Sequence, residues 1–390
     1  MTLSEVIKLA ARGDGVTADG RHVALAAPGD MVDIAAEIIP GPHHVAPPCR
    51  HFPKCGGCQL QHVDDEAYRG YLVSRVETAL AQHALATEMR EPHLSPPNSR
   101  RRSTLRALKV GQGAVLGFNA AKSHRIVDMQ ENHILRPEIV DLIAPLRQLL
   151  SAILEPRRTA EVQLTLVDQG VDVLLKGVHP DGFEVMESLT AFAATQRIAR
   201  LSIDQGLGPE TVYEPHPVTI TLSNVAVGFP HGGFLQATAE GEAALVAAVR
   251  EATSGTLRIA DLFSGIGTFA LALRAAYAAE ASRDAAASLK RAAPAMVVEH
   301  RDLYRRPVDG AELKRFDAVI LDPPRAGAVE QVRGLVGSGV SRVAYVSCNP
   351  ATFARDAKTL VDGGYKLDWV RSVGQFRWST HVELAACFSG

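Results

Sequence analysis

Two short apolar runs in the C-terminal third of the chain constrain its fold more than any other feature. They span residues 316–321 and 343–346, are rich in β-branched residues, and are separated by a spacer of helix length. This pattern is typical of buried strands in a parallel sheet. The first run leads into DPPR at residues 322–325, and the second into SCNP at residues 347–350. Because open α/β sheets bind ligands at the carboxyl ends of their strands, the sequence predicts a nucleotide-type site there.

The length and the net charge of the chain limit how many domains it can have and how it could bind nucleic acid. A chain of 390 residues is too long for one ordinary core and predicts two or three domains. Its 41 lysines and arginines nearly balance 43 aspartates and glutamates, which gives a formal charge of −2. Any surface that binds nucleic acid must therefore be a local patch and not a property of the whole protein.

The start of the chain does not have the pattern of a secretory signal. Residues 1–11 carry Glu5 and Lys8 within a short amphipathic run, and no apolar stretch approaches the length that crosses a membrane. We therefore expect a soluble, cytoplasmic protein, and a monomer.

Residues 4–40 alternate β-like runs with glycine-containing turns, a pattern that predicts a small β-barrel. A unit of about forty residues is marginal by itself, so we expect it to pack against the next part of the chain. Two roles are open. It is either a packing cap or a surface for RNA, since small barrels commonly present a strand face to oligonucleotides.

The five cysteines fall into a cluster, Cys49, Cys55 and Cys58, and two remote residues, Cys348 and Cys387. Three thiols within ten residues, with glycines that let the backbone wrap tightly, predict a metal site in preference to three structural thiols. The pattern fits a metal site plus a reactive thiol better than a disulfide framework.

A fourth cysteine at a suitable distance is missing from this cluster. The fourth ligand is then a histidine, an asparagine, an exogenous group, or nothing. The nearby candidates are His51, His62, Asn132 and His133.

A dense basic segment, SRRRSTLRALKV, occupies residues 99–110. Such a density in a balanced chain predicts contacts to phosphates, the alternative being a solvated charged strand. The cations are Arg100, Arg101, Arg102, Arg106 and Lys109. Hairpin-like alternations through residues 113–230 predict a β-rich middle region.

From residue 233 the pattern becomes α/β, and residues 257–273 supply a buried strand, a glycine-containing turn and a helix start. Gly265 and Gly267 let the backbone approach a ligand closely, while the lack of a third glycine suits a cofactor without pyrophosphate. Glu280 lies where a carboxylate can bind ribose hydroxyls. Asp302 and Asp322 follow at the next predicted strand ends.

Four segments in this order carry a resemblance: DLFSGIGTF, LDPPRAG, SCNPATFARD and THVE at residues 380–383. With them the chain resembles the RNA uracil-5-methyltransferases, S-adenosylmethionine-dependent enzymes that make 5-methyluridine in ribosomal or transfer RNA. The resemblance covers nearly the whole chain. It implies an α/β fold with three domains: a small TRAM-like β-barrel over 1–45, a cysteine-motif and β-rich RNA-binding domain over 46–232, and a Rossmann-like class I methyltransferase domain over 233–390.

The same resemblance implies roles for single residues. Cys348 matches the family nucleophile and Glu383 the base. The positions that hold the cofactor or the target uracil are matched by Gln236, Phe263, Thr268, Glu280, Asp302 and Asp322.

Two departures from the family pattern stand out. In the family, a fourth cysteine joins Cys49, Cys55 and Cys58 to hold a [4Fe–4S] cluster, and here that position is Asn132, next to His133. The segment before Glu383 reads GQFRWSTHVE where the family has an Asp-Met-Phe-Pro-like sequence, which predicts a loop of different shape.

Two rival functions fit the sequence less well. A methyltransferase acting on an exocyclic amine would carry an aromatic residue after Asp-Pro-Pro, where this chain has Arg325, and would need no cysteine nucleophile. A metal-containing RNA-binding protein without activity would not need an intact Cys348 and Glu383. Ribosomal RNA is favoured over transfer RNA, because the cysteine cluster and the barrel are similar to those of the ribosomal members.

Overall fold

The predicted N-terminal barrel is present as a strongly curled antiparallel sheet, a half-barrel. The computed structural model describes residues 3–390, so Met1 and Thr2 of the predicted first domain lie outside the described residues. The sheet has the order β3-β2-β1-β4-β5 and a small core of its own. Its strands are β1 (Ser4–Leu9), β2 (Gly15–Thr17), β3 (His22–Val23), β4 (Met31–Val32) and β5 (Ile38–Ile39).

A buried carboxylate shapes the turn between β3 and β4. Asp30 is fully buried, and its side chain accepts hydrogen bonds from the backbone of Ala27 at 2.7 Å and of Gly41 at 2.7 Å. The His44 ring lies 2.7 Å from the same carboxylate. Asp30 therefore ties the half-barrel to the cysteine segment that comes next in the chain.

The first long helix packs against the C-terminal part of the chain. Helix α1 (Asp65–Ala81) begins at Asp64, whose side chain accepts from the backbone of Ala67. The Tyr68 hydroxyl donates to the carbonyls of Phe376 and Ser379, 3.0 and 2.8 Å away. The next strand, β6 (Glu88–Leu94), pairs in parallel with the strand Lys366–Gly374.

A second sheet of six strands fills the middle of the chain, in the order β12-β11-β10-β9-β7-β8. Asp172 and Arg200 face each other across two of its strands and form a buried ion pair with two bonds of 2.9 Å. The elements are β7 (Arg102–Val110), β8 (Gly113–Gly117), α2 (Pro137–Val140), α3 (Ile143–Ile153), β9 (Thr159–Val167), β10 (Gly170–Lys176), α4 (Phe183–Thr195), β11 (Arg200–Asp204) and β12 (Pro209–Tyr213). The β-rich middle region predicted from the sequence is thus present, with three helices packed on it.

A two-stranded hairpin, β13 (Thr219–Leu222) with β14 (Val225–Gly228), leads into the third unit. This unit is an eight-stranded sheet with the order β17-β16-β15-β18-β19-β21-β20-β6. Its first five strands are parallel, and β21 is antiparallel to both neighbours. Its elements are α5 (Ala239–Ala252), β15 (Ile259–Leu262), α6 (Thr268–Leu273), β16 (Tyr277–Glu280), α7 (Arg283–Ala292), β17 (Val297–His300), α8 (Gly310–Leu313), β18 (Ala318–Leu321), α9 (Val329–Leu335), β19 (Arg342–Ser347), α10 (Pro350–Asp362), β20 (Lys366–Gly374) and β21 (Glu383–Ser389).

The two apolar runs of the sequence are the central strands β18 and β19, and every residue of β18 is buried. The α/β class with a Rossmann-like C-terminal sheet is confirmed. Strand β6 comes from the predicted middle domain and yet lies in this sheet. The predicted boundaries at residues 45 and 232 stay a prediction. Within residues 3–390, no helix is long and apolar enough to span a bilayer.

Candidate active site

The register of the C-terminal sheet brings Cys348 and Glu383 side by side. Strand β19 ends at Ser347 and β21 begins at Glu383, and in this antiparallel pair Ser347 lies opposite Leu384. Cys348 therefore follows one strand directly where Glu383 starts its neighbour. Asp322 follows β18, the parallel neighbour of β19 on the other side. The three predicted residues lie together at one edge of the sheet.

Burial governs the protonation of these three groups. Glu383 is 7% exposed, and burial raises its pKa to about 7 against the opposing charges of Arg102 and Arg325. Burial also raises the pKa of Cys348, and the charges of Glu383 and Asp322 add to the effect while Arg325 opposes it. The pKa of Asp322 stands well above its ordinary value, through burial first and then the charge of Glu383. Because these acidic groups are buried close together, each one favours the protonated form of its neighbours.

Two arginines supply the opposite charge. The Arg102 guanidinium stacks on the ring of Phe234 at 4.5 Å, and its Nε is buried without a hydrogen-bond partner. Arg325 reaches across to His381, with Nη2 2.9 Å from Nδ1. Sequence reasoning did not assign either arginine to the catalytic pocket. The position of Arg325 directly after Asp-Pro-Pro is the feature of the sequence from which its place in this pocket could have been predicted.

The cations of the basic segment, residues 99–110, each have a partner within the protein, although Arg106 remains about half exposed. Arg101 pairs with Glu242, and Arg106 pairs with Glu161 at 3.0 Å. The other members are also occupied: Arg100 stacks over Phe376, Arg102 over Phe234, and Lys109 donates to the carbonyl of Ser151. These intramolecular contacts orient the five cations, and their contacts to phosphates stay a prediction.

The predicted cofactor turn has the expected conformation. Gly265 has φ +56° with open space where a Cβ would stand, and its N–H donates to the Glu280 carboxylate at 2.8 Å. Gly267 has φ +100°, and a Cβ there would meet Leu289 at 2.4 Å, so this position requires glycine. Phe263, just before the turn, also has a positive φ of 66°. A backbone held in this way leaves room for a ligand at the end of β15.

The remaining predicted residues border the same edge of the sheet. Thr268 is the first residue of α6. The carboxylate of Asp302 accepts from the backbone of Tyr304 at 3.0 Å, after the end of β17. Gln236 is buried and lies between Asp322, 3.4 Å from its Nε2, and Gln375, which donates to its Oε1 at 2.8 Å.

Asp261 is a site residue that sequence reasoning missed. It lies within β15 and is fully buried, and among residues 3–390 neither of its carboxylate oxygens has a hydrogen-bond partner of good geometry. Burial raises its pKa to about 8, and the charge of Glu280 adds to this. A buried polar group without a partner is costly, and such a group marks a place for an absent ligand or a retained proton.

A second buried carboxylate fixes the loop that carries Asp322 and Arg325. Asp356, on α10, is 1% exposed and accepts from the Tyr345 hydroxyl and the backbone of Ala328, each at 2.6 Å. Three further bonds join the carbonyls of this loop to the α10 region, from the side chains of Asn349, Thr352 and Arg355. The loop with Arg325 is thereby held against the helix that follows Cys348.

The three clustered cysteines line one narrow pocket, away from the catalytic edge. Phe52, Phe118 and Met129 give it apolar walls. Cys49, Cys55 and Cys58 are free thiols, and burial raises the pKa of Cys58 to about 12. Within residues 3–390, no three His, Cys, Asp or Glu side chains converge closely enough to hold a metal ion.

The structure separates the candidates for a fourth ligand. The Asn132 oxygen accepts from the backbone of Ile134 and Leu135, both at 2.8 Å, so that side chain is occupied. His51 accepts from the backbone of Gln130. His62 is buried beside Phe52 but is not part of the pocket wall, and burial lowers its pKa to about 4.

His133 differs from these candidates. It forms part of the wall of the cysteine pocket, and within residues 3–390 its buried Nε2 makes no hydrogen bond of good geometry. A carboxylate oxygen of Glu131 lies 3.5 Å from that nitrogen, within ion-pair distance. Among the four candidates, His133 is the pocket residue whose ring nitrogen has only this longer contact.

Known proteins show similarity over the whole length of the chain. The family model described as tRNA (Uracil-5-)-methyltransferase matches residues 288–389. An uncharacterised RNA methyltransferase of Zymomonas mobilis is 49% identical over 99% of this chain and 100% of its own. The 23S rRNA (uracil(1939)-C(5))-methyltransferase RlmD of Chromohalobacter salexigens is 32% identical over 91% of this chain and 78% of its own.

One solved structure shares the fold throughout. The crystal structure of Pyrococcus abyssi tRNA (uracil-54, C5)-methyltransferase in complex with S-adenosyl-L-homocysteine superposes with a TM-score of 0.74. The match covers 99% of this chain and 100% of that chain at 22% sequence identity. The similarity therefore lies in the fold.

We predict that Asp356→Ala lowers the free energy of unfolding by about 2 to 4 kcal/mol, because it leaves several buried or half-buried donors without an acceptor. Tyr345→Phe, which removes one of those donors, should cost less, and Asp356→Asn should fall between them. Urea unfolding followed by tryptophan fluorescence measures this, since both tryptophans, Trp369 and Trp378, lie in or next to the C-terminal sheet. If Asp356→Ala lowered the free energy of unfolding by no more than Tyr345→Phe does, Asp356 would not be the residue that holds the Arg325 loop.

Proposed function

Since this chain belongs to the family of RNA uracil-5-methyltransferases, which use S-adenosylmethionine, we propose that it methylates carbon 5 of a specific uridine in 23S ribosomal RNA through a covalent cysteine–uracil adduct. The observation that supports this most strongly is the strand register that sets Cys348 beside Glu383. The proposal includes a cytoplasmic monomer as the working form.

Cys348 acts first in this proposal. Carbon 5 of uracil is a poor nucleophile, so a thiolate must add to carbon 6 and push the ring electrons towards carbon 4 as an enolate. The Cys348 thiol starts with a raised pKa, and Arg325 is the nearby cation that opposes this rise. Arg325 therefore favours the thiolate at the moment of attack.

Asp322 and Gln236 are placed to hold the uracil edge. Burial raises the pKa of Asp322 well above its ordinary value, which favours its protonated form, and the protonated carboxyl can donate a hydrogen bond. Gln236 lies within 3.4 Å of it and is fixed from the other side by Gln375. Preorganised donors of this kind stabilise a developing enolate in a dry pocket.

Glu383 acts last. After carbon 5 has gained the methyl group, a base must take its remaining proton so that the carbon–sulfur bond can break and the thiolate leave. A buried carboxyl with a pKa of about 7 is well matched to this task near neutral pH. The uracil must reach this pocket unstacked from its neighbours in RNA.

S-adenosylmethionine, when bound, supplies an electrophilic methyl group. The turn at Gly265 and Gly267 leaves space for a ligand, and Glu280, Asp302 and Phe263 lie around it. We assign these residues, with Thr268, to the cofactor. The unpartnered carboxylate of Asp261 lies at the same edge and fits a polar ligand group.

The choice of ribosomal RNA over transfer RNA rests on the relative RlmD. That 23S rRNA (uracil(1939)-C(5))-methyltransferase is 32% identical over 91% of this chain. The N-terminal half-barrel does not separate the two substrates, because the fold of the Pyrococcus abyssi tRNA methyltransferase matches 99% of this chain. Mapping of 5-methyluridine in ribosomal and transfer RNA from a deletion strain tests the choice. Loss from transfer RNA alone would select the alternative substrate.

We predict that Cys348→Ala abolishes methyl transfer from labelled S-adenosylmethionine to total RNA, because it removes the thiol that adds to carbon 6 of the uracil. Binding of S-adenosylhomocysteine, measured by calorimetry, should remain at the level of the unchanged protein. Cys387→Ala removes a buried cysteine outside the site and serves as the matched control. Methylation by the Cys348→Ala protein at the normal rate would exclude the adduct route.

We predict that Glu383→Gln accumulates a protein–RNA adduct that survives a denaturing gel, because the base acts only after methyl addition. In the unchanged protein, kcat/KM should fall about tenfold per pH unit below a pKa of about 7, since the protonated carboxyl cannot accept a proton. Glu330→Gln, on the exposed face of α9, is the control. Full turnover without adduct by Glu383→Gln would remove this residue from its role.

We further propose that the cysteine pocket holds a [4Fe–4S] cluster with His133 as the fourth ligand. The fit rests on three free thiols and one unpartnered imidazole nitrogen around a pocket with apolar walls. A cluster spreads its ligands over several irons, so its thiolates do not need to converge on one point as zinc ligands do. The site would order the middle of the chain and take no part in methyl transfer.

We predict about four irons and four sulfides per chain after anaerobic purification. His133→Ala should lose one iron and give the electron paramagnetic resonance signal of a three-iron cluster, while His124→Ala, an exposed histidine outside the pocket, should not. One zinc per chain would support a zinc site in place of the cluster. The absence of both iron and zinc would mean that the cysteine motif no longer binds a metal. An unchanged iron count in His133→Ala would exclude its role as a ligand.

A further inference from the structure

An open groove lies beside the catalytic edge and differs in charge from the rest of the chain. Four segments form its walls: the β1–β2 turn, the cysteine segment, the loop after β8, and the loop before Glu383. Its lining residues are Arg12, Gly56, Gln59, Asn119, Ala120, Ala121, Lys122 and Thr380. Two of the eight are cations and none is a carboxylate, in a chain whose formal charge is −2.

The cations of this groove are free, unlike those of the basic segment. Arg12 and Lys122 are exposed, and within residues 3–390 neither forms an ion pair or a side-chain hydrogen bond. Two more exposed cations, Lys54 and Arg125, are tied to the lining of the groove by backbone hydrogen bonds. The Ala121 N–H donates to the carbonyl of Lys54, and the Ala120 N–H donates to the carbonyl of Arg125. In the described part of the chain these two side chains are unpaired as well. Four unpaired cations around one groove form a local cationic patch.

The small residues in the lining of the groove allow a nucleic-acid backbone to approach closely. Gly56, Ala120 and Ala121 present small side chains there. The Asn119 amide makes no hydrogen bond within the described residues, so both its donor and its acceptor are available. Side-chain amides beside lysine and arginine are common partners of RNA phosphates and sugars.

One wall of the groove belongs to the loop that leads into Glu383. Thr380 is one of its walls and lies three residues before Glu383. Its N–H donates to the Gln59 side chain at 3.3 Å, which fixes this wall to the cysteine segment. The next residue, His381, is exposed and held by Arg325 at the rim of the pocket. The groove and the candidate catalytic residues are therefore joined through one short loop.

We propose that this groove binds the sugar–phosphate backbone of single-stranded RNA next to the target uridine. The inference rests on the proposed function, because it is the position beside the methylation pocket that selects RNA from among polyanions. A target base that leaves its stack requires its flanking nucleotides to be held apart from a duplex. Phosphate contacts from Arg12 and Lys122 provide that hold without reading sequence.

The test uses the double variant Arg12→Glu/Lys122→Glu and a fluorescein-labelled 20-nucleotide oligouridylate. Anisotropy titrations at several salt concentrations should show at least a tenfold higher Kd at low salt. The slope of log K against log salt should become shallower by about 1.4, at about 0.7 for each lost phosphate contact in a single strand. Binding of S-adenosylhomocysteine should not change.

The matched control is Lys290→Glu/Lys314→Glu, which makes the same change in net charge. Both lysines are exposed, at the ends of α7 and α8 that precede β17 and β18, on the edge of the sheet opposite to the catalytic pocket. The control should bind the oligonucleotide within twofold of the unchanged protein. Equal weakening of both variants would mean a general charge effect and would overturn the proposal.

Two further outcomes separate this inference from the proposed function. If the unchanged protein methylates RNA and the groove variant binds and methylates normally, the groove assignment fails and the function stands. If the groove variant loses oligonucleotide binding but the unchanged protein methylates no RNA, the proposed function fails alone. Competition by polyglutamate as strong as that by unlabelled oligouridylate would point to an acidic peptide and overturn the choice of RNA.

Discussion

The antiparallel hydrogen bonding of β21 against β19 is the interaction on which the candidate site depends. It places the first residue of β21, Glu383, beside the residue that follows β19, Cys348. Most of β21 is buried, so a one-residue slip would move the whole strand's side chains to the wrong face. The sheet core thus sets the Cys348 thiol beside the Glu383 carboxyl, although the two residues lie 35 positions apart in sequence.

Burial gives these groups their chemistry and also makes them costly. Asp261, Asp322 and Glu383 are acids with raised pKa values at one sheet edge. Protonating these acids costs less free energy than burying several negative charges together. Arg102 and Arg325 offset part of the negative charge that remains. The buried bonds of Asp356 then hold the Arg325 loop in place. Folding free energy from this network thus holds in place one of the two cations that offset the buried acids.

Local patterns in the sequence predicted the strands, the glycine turn and the residues at strand ends, because each depends on a few consecutive side chains. The sequence did not predict pairings between distant segments. Strand β6 joins β20 although about 270 residues separate them, and the arginines of residues 99–110 find partners as distant as Glu242 and Phe376. Asp261 was missed for the same reason, since its lack of a partner is visible only when all its neighbours are placed.

The cysteine pocket and the catalytic loop share structural members. Arg100 lines the pocket and stacks over Phe376 at 5.0 Å, in the loop that precedes Glu383. The backbone N–H groups of Gln59 and Leu60, next to Cys58, both donate to the carbonyl of Trp378. Order in the cysteine segment is therefore transmitted to the loop before the base through direct contacts. A cluster in this pocket would support catalysis by holding that loop and would need no electron transfer, so its loss should weaken the placement of Glu383 before it affects the cofactor turn.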